Sequence, residues 1–239
     1  MANARSTSNF AAVAAVSLLA SCQALHRSAD LAHNPAIYQP VGFTSKTPGD
    51  RPVFVTPLAD ARRFDVLPAA QGGWPIVYDD DSKWARPVRD MVSDVLHDEL
   101  GDSAIFAGLA GRAEPAALVL KPSLVVFASG SMESDEGGRS MAEVGIRVQV
   151  YGAEEDGKRP LLHDQMYSDR QMSTVAMLPM SSFIIAGRAL RTTVARLVSG
   201  LDGSNVSRSG VPLDFDPSGG TRPAVPAAPV PTPPAAPGR

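Results

Sequence analysis

The 239-residue sequence predicts an α+β fold: an antiparallel sheet with two amphipathic helices packed on one face, forming a single domain. Three observations carry that expectation. Residues 142–151, AEVGIRVQVY, alternate without a break. Ala142, Val144, Ile146, Val148 and Val150 fall on one side, and Glu143, Gly145, Arg147, Gln149 and Tyr151 on the other. A period of two means one covered and one wet face, which suits an antiparallel sheet. Two stretches, 87–100 and about 181–201, set apolar residues three and four apart, the pattern of a helix with one apolar stripe. Polar, glycine-containing segments separate the strand-like runs, as turns between neighbouring strands do.

In chain order, PVFVTPL near residue 52 and WPIVY at 74–78 read as short strands. The first helix presents Val88, Met91, Val92, Val95, Leu96 and Leu100. Pro87 suits its first turn, where a missing N–H costs nothing, and Gly101 suits its stop. LVLKPSLVVF at 118–127 puts Leu118, Leu120, Leu124 and Val126 on one face and Val119, Val125 and Phe127 on the other. Pro122 has no N–H for a ladder, so it marks an edge, a bulge or a break. ASGSMESDEGGRS leads into 142–151, and GAEEDGKRP leads from there to a weaker strand at 161–168, giving a three-stranded meander. The second helix buries Phe183, Leu190, Val194, Leu197 and Leu201 and turns Arg188, Arg191 and Arg196 the other way.

The amino-terminal end carries the one cysteine, Cys22. Residues 1–9 are polar with one basic side chain, Arg5, and 10–20, FAAVAAVSLLA, are apolar. That run is too short for a membrane span, which takes about 20 residues. With the small residues Ala20 and Ser21 before the cysteine, it has the plan of a secretory signal. Leu19-Ala20-Ser21-Cys22 resembles the lipobox of bacterial lipoproteins. The resemblance implies a diacylglyceryl group on the Cys22 sulfur, signal peptidase II cleavage between Ser21 and Cys22, and acylation of the new amino group. Two or more acyl chains anchor a protein stably where one binds reversibly. Gln23 stands where this family's inner-membrane retention signal has aspartate, which implies the outer membrane, on its periplasmic face. The expected division is a signal peptide at 1–21, a flexible linker at 22–50, a periplasmic domain at 51–203 and a Pro/Ala-rich disordered tail at 204–239. Residues 217–239 contain eight prolines and almost no large apolar groups, too few to offset the entropy of ordering.

Composition and motifs narrow the chemistry. A formal net charge of −3 offers no basic footprint for nucleic acid. Asp79, Asp80 and Asp81 read as the acidic approach to a helix, since three adjacent side chains do not all converge on one cation. In LHDEL, His97 sits three residues from Asp94 and reads as half of a surface pair. An HDEL tetrapeptide is an address only at a carboxyl terminus. His163-Asp164 is the one tempting dyad, but no G-x-S-x-G context accompanies it. Ser129, Ser131 and Ser134 fall in a polar turn, poor ground for a preorganised nucleophile. GLAGRA at 108–113 lacks both the spacing and the lysine of a phosphate loop. Four histidines and Cys22 form no zinc pattern. No catalytic, cofactor-binding or metal residue is assigned, no cofactor is expected, and the reading is non-enzymatic. Trp74, Tyr78 and Trp84 are candidates for partner anchors and, more simply, for core.

VYDDDSKWARPVRDMVSDVLHDELGDSAIF, with its Trp84-Ala85-Arg86-Pro87 turn into a helix, resembles a passage of bacterial ABC-type transport auxiliary lipoproteins. The likeness extends over about residues 50–201 as an order of elements and includes auxiliaries that work beside MCE-type lipid carriers. It implies a lipid-anchored accessory subunit of an envelope transport system, with an ABC permease or MCE-type protein as partner. It brings no catalytic residue. Two alternatives stay open: a structural envelope linker using the proline-rich tail, and a hydrolase built around His163-Asp164.

Overall fold

Residues 29–63, 77–78, 81–132, 139–173 and 181–210 are described by the structure, a computed structural model. In chain order the elements are β1 (Val53–Val55), β2 (Ala59–Asp60), β3 (Val77–Tyr78), a 3-10 turn (Asp81–Lys83), α1 (Val88–Asp102), β4 (Leu118–Met132), β5 (Arg139–Tyr151), β6 (Leu161–Met172) and α2 (Ser181–Gly203). The alternation along 142–151 is realised in full: its five even-numbered residues are completely buried.

β4, β5 and β6 form the expected antiparallel meander. Its strands outrun the apolar stretches that announce them, so Ser129 and Ser131 lie in β4 rather than in a turn. Strand propensity is weak beside cross-strand pairing, which carries serine and glycine here. The other edge of β4 is covered in pieces. β1 pairs with it in parallel at Leu118–Leu120, β2 in parallel at Ser123–Leu124 and β3 antiparallel at Ala128–Ser129. The sheet is therefore mixed rather than wholly antiparallel. Pro122 falls in the gap between β1 and β2, where that edge is broken.

A bulge corrects the faces read for β4. The register with β5 slips between Leu124 and Val126. One extra residue in one strand turns every later side chain over. Phe127 thus joins Leu118, Leu120 and Leu124 in the main core, while Val126 packs on the opposite face with Ala128 and Met141.

Both helices contribute to that one core on one face of the sheet. α2 lies over β5 and β6 and buries Ile185, Ala189, Leu190, Val194, Leu197, Val198 and Leu201; Arg188, Arg191 and Arg196 are exposed. In α1, Val88 N–H donates to Asp81 Oδ1 at 3.1 Å, so Asp81 serves the helix start. The helix runs through Gly101 to Asp102, and Ala104 takes the left-handed conformation (φ 54°) just beyond it. Trp84 is core, edge-on to Phe127 at 5.6 Å and to Phe183 at 4.7 Å.

The linker expected at 22–50 is corrected for its described part. From Ala29 onward the segment is packed on the domain, with Ala29, Leu31, Ile37, Tyr38 and Ser45 buried. Leu31 N–H meets Met91 Sδ at 3.4 Å, Ala85 N–H donates to the Ala29 carbonyl at 3.1 Å, and Arg86 bridges Asp30 (3.0 Å) and Asp94 (2.9 Å). These apolar residues fill separate notches and form no regular element, so they leave no period in the sequence. The domain also runs past 203, since Ser204, Val206 and Ser207 are buried and Arg208 reaches Asp202 and the Thr47 carbonyl. Residues 1–28 with Cys22, Trp74, Asp79, Asp80, Ser134 and the tail from 211 lie outside the described residues.

Candidate functional site

Antiparallel pairing points the backbone of successive residues alternately toward and away from the neighbouring strand. From His163 onward the odd-numbered residues of β6 face β5, and Ser173 just beyond continues that parity by donating its N–H to the Ser140 carbonyl at 2.8 Å; a register shift at Leu161–Leu162 breaks it at the strand's start. Asp164, Met166, Ser168, Arg170 and Met172 therefore turn N–H and C=O outward. Among the described residues only β5 pairs with β6, so these groups form an open edge from Asp164 to Met172. Natural sheets rarely leave such an edge bare, because it accepts another strand. The two large apolar side chains most exposed among the described residues, Leu161 (38%) and Met172 (48%), sit at its two ends.

Arg196 of α2 wraps over this edge. Its Nη1 donates to the Ser168 carbonyl at 2.5 Å and its Nη2 lies 3.0 Å from Asp169 Oδ1. Between α2 and β6 runs an open groove of about 770 Å³ lined by Gln165, Tyr167, Thr192, Ala195, Arg196 and Ser199. Its floor is close-packed at Gly200, where a Cβ would stand 2.4 Å from Tyr167 Oη. His163 Nε2 and Tyr167 Oη are 2.9 Å apart, and Tyr167 Oη donates to Gln165 Oε1 at 3.2 Å. Burial lowers the affinity of His163 for a proton, partly offset by the charge of Asp164.

The His163-Asp164 dyad considered from sequence does not assemble. Neighbours in a strand point to opposite faces. His163 lies buried on the helix side, and Asp164 lies on the other, held by Arg147 (2.7 and 2.6 Å) and Gln149 (2.9 Å). Hydrogen bonds from Arg147 keep the Asp164 carboxyl below its ordinary range. On the same face Arg170 Nε reaches Glu143 Oε2 at 3.1 Å. The pairing read for Asp94 and His97 is replaced by the Arg86–Asp94 contact.

A second cavity, about 340 Å³, lies between α1 and the amino-terminal segment, lined by His33, Tyr38, Val95, Asp98, Glu99 and Asp102. Glu99 Oε1 accepts Tyr38 Oη–H and Val41 N–H, both at 2.7 Å. Burial, then the adjacent Glu99, pushes the Tyr38 phenol well above its usual range. Glu99 thus fastens the segment to α1. Sequence reading named Glu99 only as part of LHDEL. Its place between Val95 and Leu100 in the apolar stripe was the available signal. The open edge had a signal too: LLHDQMYSDRQM alternates, but both of its faces carry polar residues, as suits a strand covered on neither side completely.

No family model matches the chain, and no curated protein matches it. Among solved structures, the chain is similar to protein XCC0632 from Xanthomonas campestris, of family DUF330, at 16% identity and a TM-score of 0.47, over 70% of this chain and 91% of that one. It is also similar to the hypothetical protein CT253 from Chlamydia trachomatis at 12% identity and a TM-score of 0.40, over 64% and 98% of the two chains.

Proposed function

We propose that this protein is a lipid-anchored, non-enzymatic accessory of an envelope transport system. In this reading it is held to the outer membrane through Cys22 and docks protein partners along the open edge of β6. The observation that carries the docking is the edge itself, long, unpaired among the described residues and apolar at both ends. Strand addition to such an edge supplies affinity through backbone hydrogen bonds and specificity through alternate side chains. The separation of His163 from Asp164 favours the accessory reading over a hydrolase.

The packed amino-terminal segment sharpens the anchoring. Ala29, the first described residue, is buried and stands seven steps from Cys22. At about 3.6 Å per step the tether reaches at most ~25 Å, so a lipidated chain keeps its domain close to the leaflet. An ABC permease or an MCE-type protein is the partner this reading names, from the order of elements and the Trp84-Ala85-Arg86-Pro87 turn.

The test is cross-linked recovery of the native chain from membranes, with Cys22→Ser alongside. The expected result is a transport permease or MCE-type protein recovered with the native chain, and loss of both membrane association and function for Cys22→Ser, with the domain still folded. A Cys22→Ser protein that stayed membrane-bound and active would sink the anchor. Recovery of peptidoglycan-associated proteins instead, lost on deleting 217–239, would replace the accessory with a structural linker.

A further inference from the structure

The side chains of β6 are self-complementary about Tyr167. Asp164 stands three residues before it and Arg170 three after. Leu161 stands six before, beyond a one-residue register shift, and Met172 five after. We propose that the strand added to the β6 edge is β6 of a second copy of this chain, antiparallel, with the two-fold axis at Tyr167. This inference rests on the docking-edge reading and names its partner.

In that register Met166 lies opposite Ser168 of the second copy and Asp164 opposite Arg170, and the register shift in β6 brings Leu161 to the face of Met172. Each contact occurs twice, as a two-fold interface requires. The backbones of Asp164, Met166, Ser168, Arg170 and Met172 already point outward, so the two strands exchange N–H···O=C bonds without disturbing β5. Directly opposed residues of an antiparallel pair are close enough for opposite charges to attract. Asp164 is bound by Arg147 and Arg170 by Glu143 within one copy. Joining them makes an alternating row: Arg147, Asp164, then Arg170 and Glu143 of the second copy. The exposed ends, Leu161 and Met172, cover one another.

Displacing the axis by one residue destroys this match. Centred on Ser168, Asp164 meets Met172 and Met166 meets Arg170. Centred on Met166, Asp164 meets Ser168. Of these three registers only the one at Tyr167 sets Asp164 against Arg170. Arg196, whose side chain is 57% exposed, gives up the Ser168 carbonyl to the incoming strand and keeps Asp169, with the groove beside it leaving room. A seam of two strands is small for a stable interface, so copies anchored in one leaflet, at raised local concentration, favour it.

The experiment uses the full chain in its native membranes, with the wild-type chain as control for Cys22. Met166→Cys and Ser168→Cys copies carrying different tags are co-expressed and oxidised. The expected result is a disulfide dimer joining the two tags, several-fold above that of either variant alone. Adding Leu161→Lys and Met172→Lys, both at exposed positions, should cut that yield several-fold with an unchanged melting temperature. Equal or stronger dimers from one variant alone would overturn the register, and no dimer in any combination would overturn the second copy. A photo-cross-linker at position 168 separates the two levels. If it joins a different protein, the edge docks partners and the second copy is wrong; if it joins nothing, the docking edge fails as well.

Discussion

Replacing Gly187 by alanine sets two effects of opposite sign against each other. The residue lies inside α2, where alanine is favoured over glycine by about 1 kcal/mol. In this fold the backbone of the amino-terminal segment crosses the helix at that point. An added Cβ would stand 2.0 Å from the Ile37 carbonyl oxygen and 2.7 Å from its carbon. Real Cβ contacts stay above 3.0 Å, so the crossing has to open by about 1 Å. The obstacle is backbone, held by Asn34, whose carbonyl accepts Ile37 N–H at 2.9 Å and Tyr38 N–H at 3.1 Å, and by Arg191 on the Gln39 carbonyl at 3.0 Å. Overpacking of this kind costs about 1–3 kcal/mol, occasionally more. Its relief is to lift the segment, uncovering Ile37 and Tyr38 at about 1.5–3 kcal/mol per side chain of this size. The expected outcome is a net loss of up to about 2 kcal/mol, with faster hydrogen exchange and protease cleavage confined to residues 29–41. Gly203→Ala is the control, at the end of the same helix with nothing within 4 Å. It should be neutral or stabilise by up to about 1 kcal/mol. Urea unfolding of both variants, followed by exchange mass spectrometry, decides the matter. A Gly187→Ala protein as stable and as protected as Gly203→Ala would refute the packing of the amino-terminal segment.

Three further outcomes follow from the same structure. Phe127→Ala should cost about 3–5 kcal/mol, and Val126→Ala far less, in denaturant melts; equal costs would remove the bulge that divides their faces. Glu99→Ala leaves Tyr38 Oη and Val41 N–H without their acceptor, and a buried donor left unsatisfied costs about 1–3 kcal/mol. Melts should show a loss of at least that size, with raised exchange in residues 37–41. His163 holds its proton less tightly when folded than its ordinary pKa of 6.5, so the unfolded chain binds more protons between the two values. Stability is then full above about pH 7 and falls as pH drops through 6.5 toward the folded value. His163→Gln, if folded, should flatten that slope. The carboxylates held low, Asp30, Asp60 and Asp164, withdraw their contribution at lower pH, below about 4.

The residues of regular elements with one covered face were legible from sequence, because burial repeats at the period of the backbone. Ala142 to Val150 and the stripe of α1 from Val88 to Leu100 needed no tertiary information. The ionic edges and open strand at β6 were half legible. Its alternation was visible, but whether another strand lay beside it depends on distant segments, and Leu161 and Met172 look like core in a sequence. What only the tertiary structure decided was long-range or irregular. The bulge after Leu124 moves Phe127 across the sheet, and the hydrophobic pattern carries no mark of one inserted residue. β1 and β2 run parallel to β4 because the chain returns through α1, a matter of connection rather than composition. The segment from Ala29 to Asp50 buries its apolar residues singly, in notches made by residues far along the chain, such as Met91, Glu99 and Gly187. Sequence determined the layers of the domain, where burial is local or periodic. Tertiary structure decided which edge stays open and what the amino-terminal segment packs upon, because those depend on which surfaces meet.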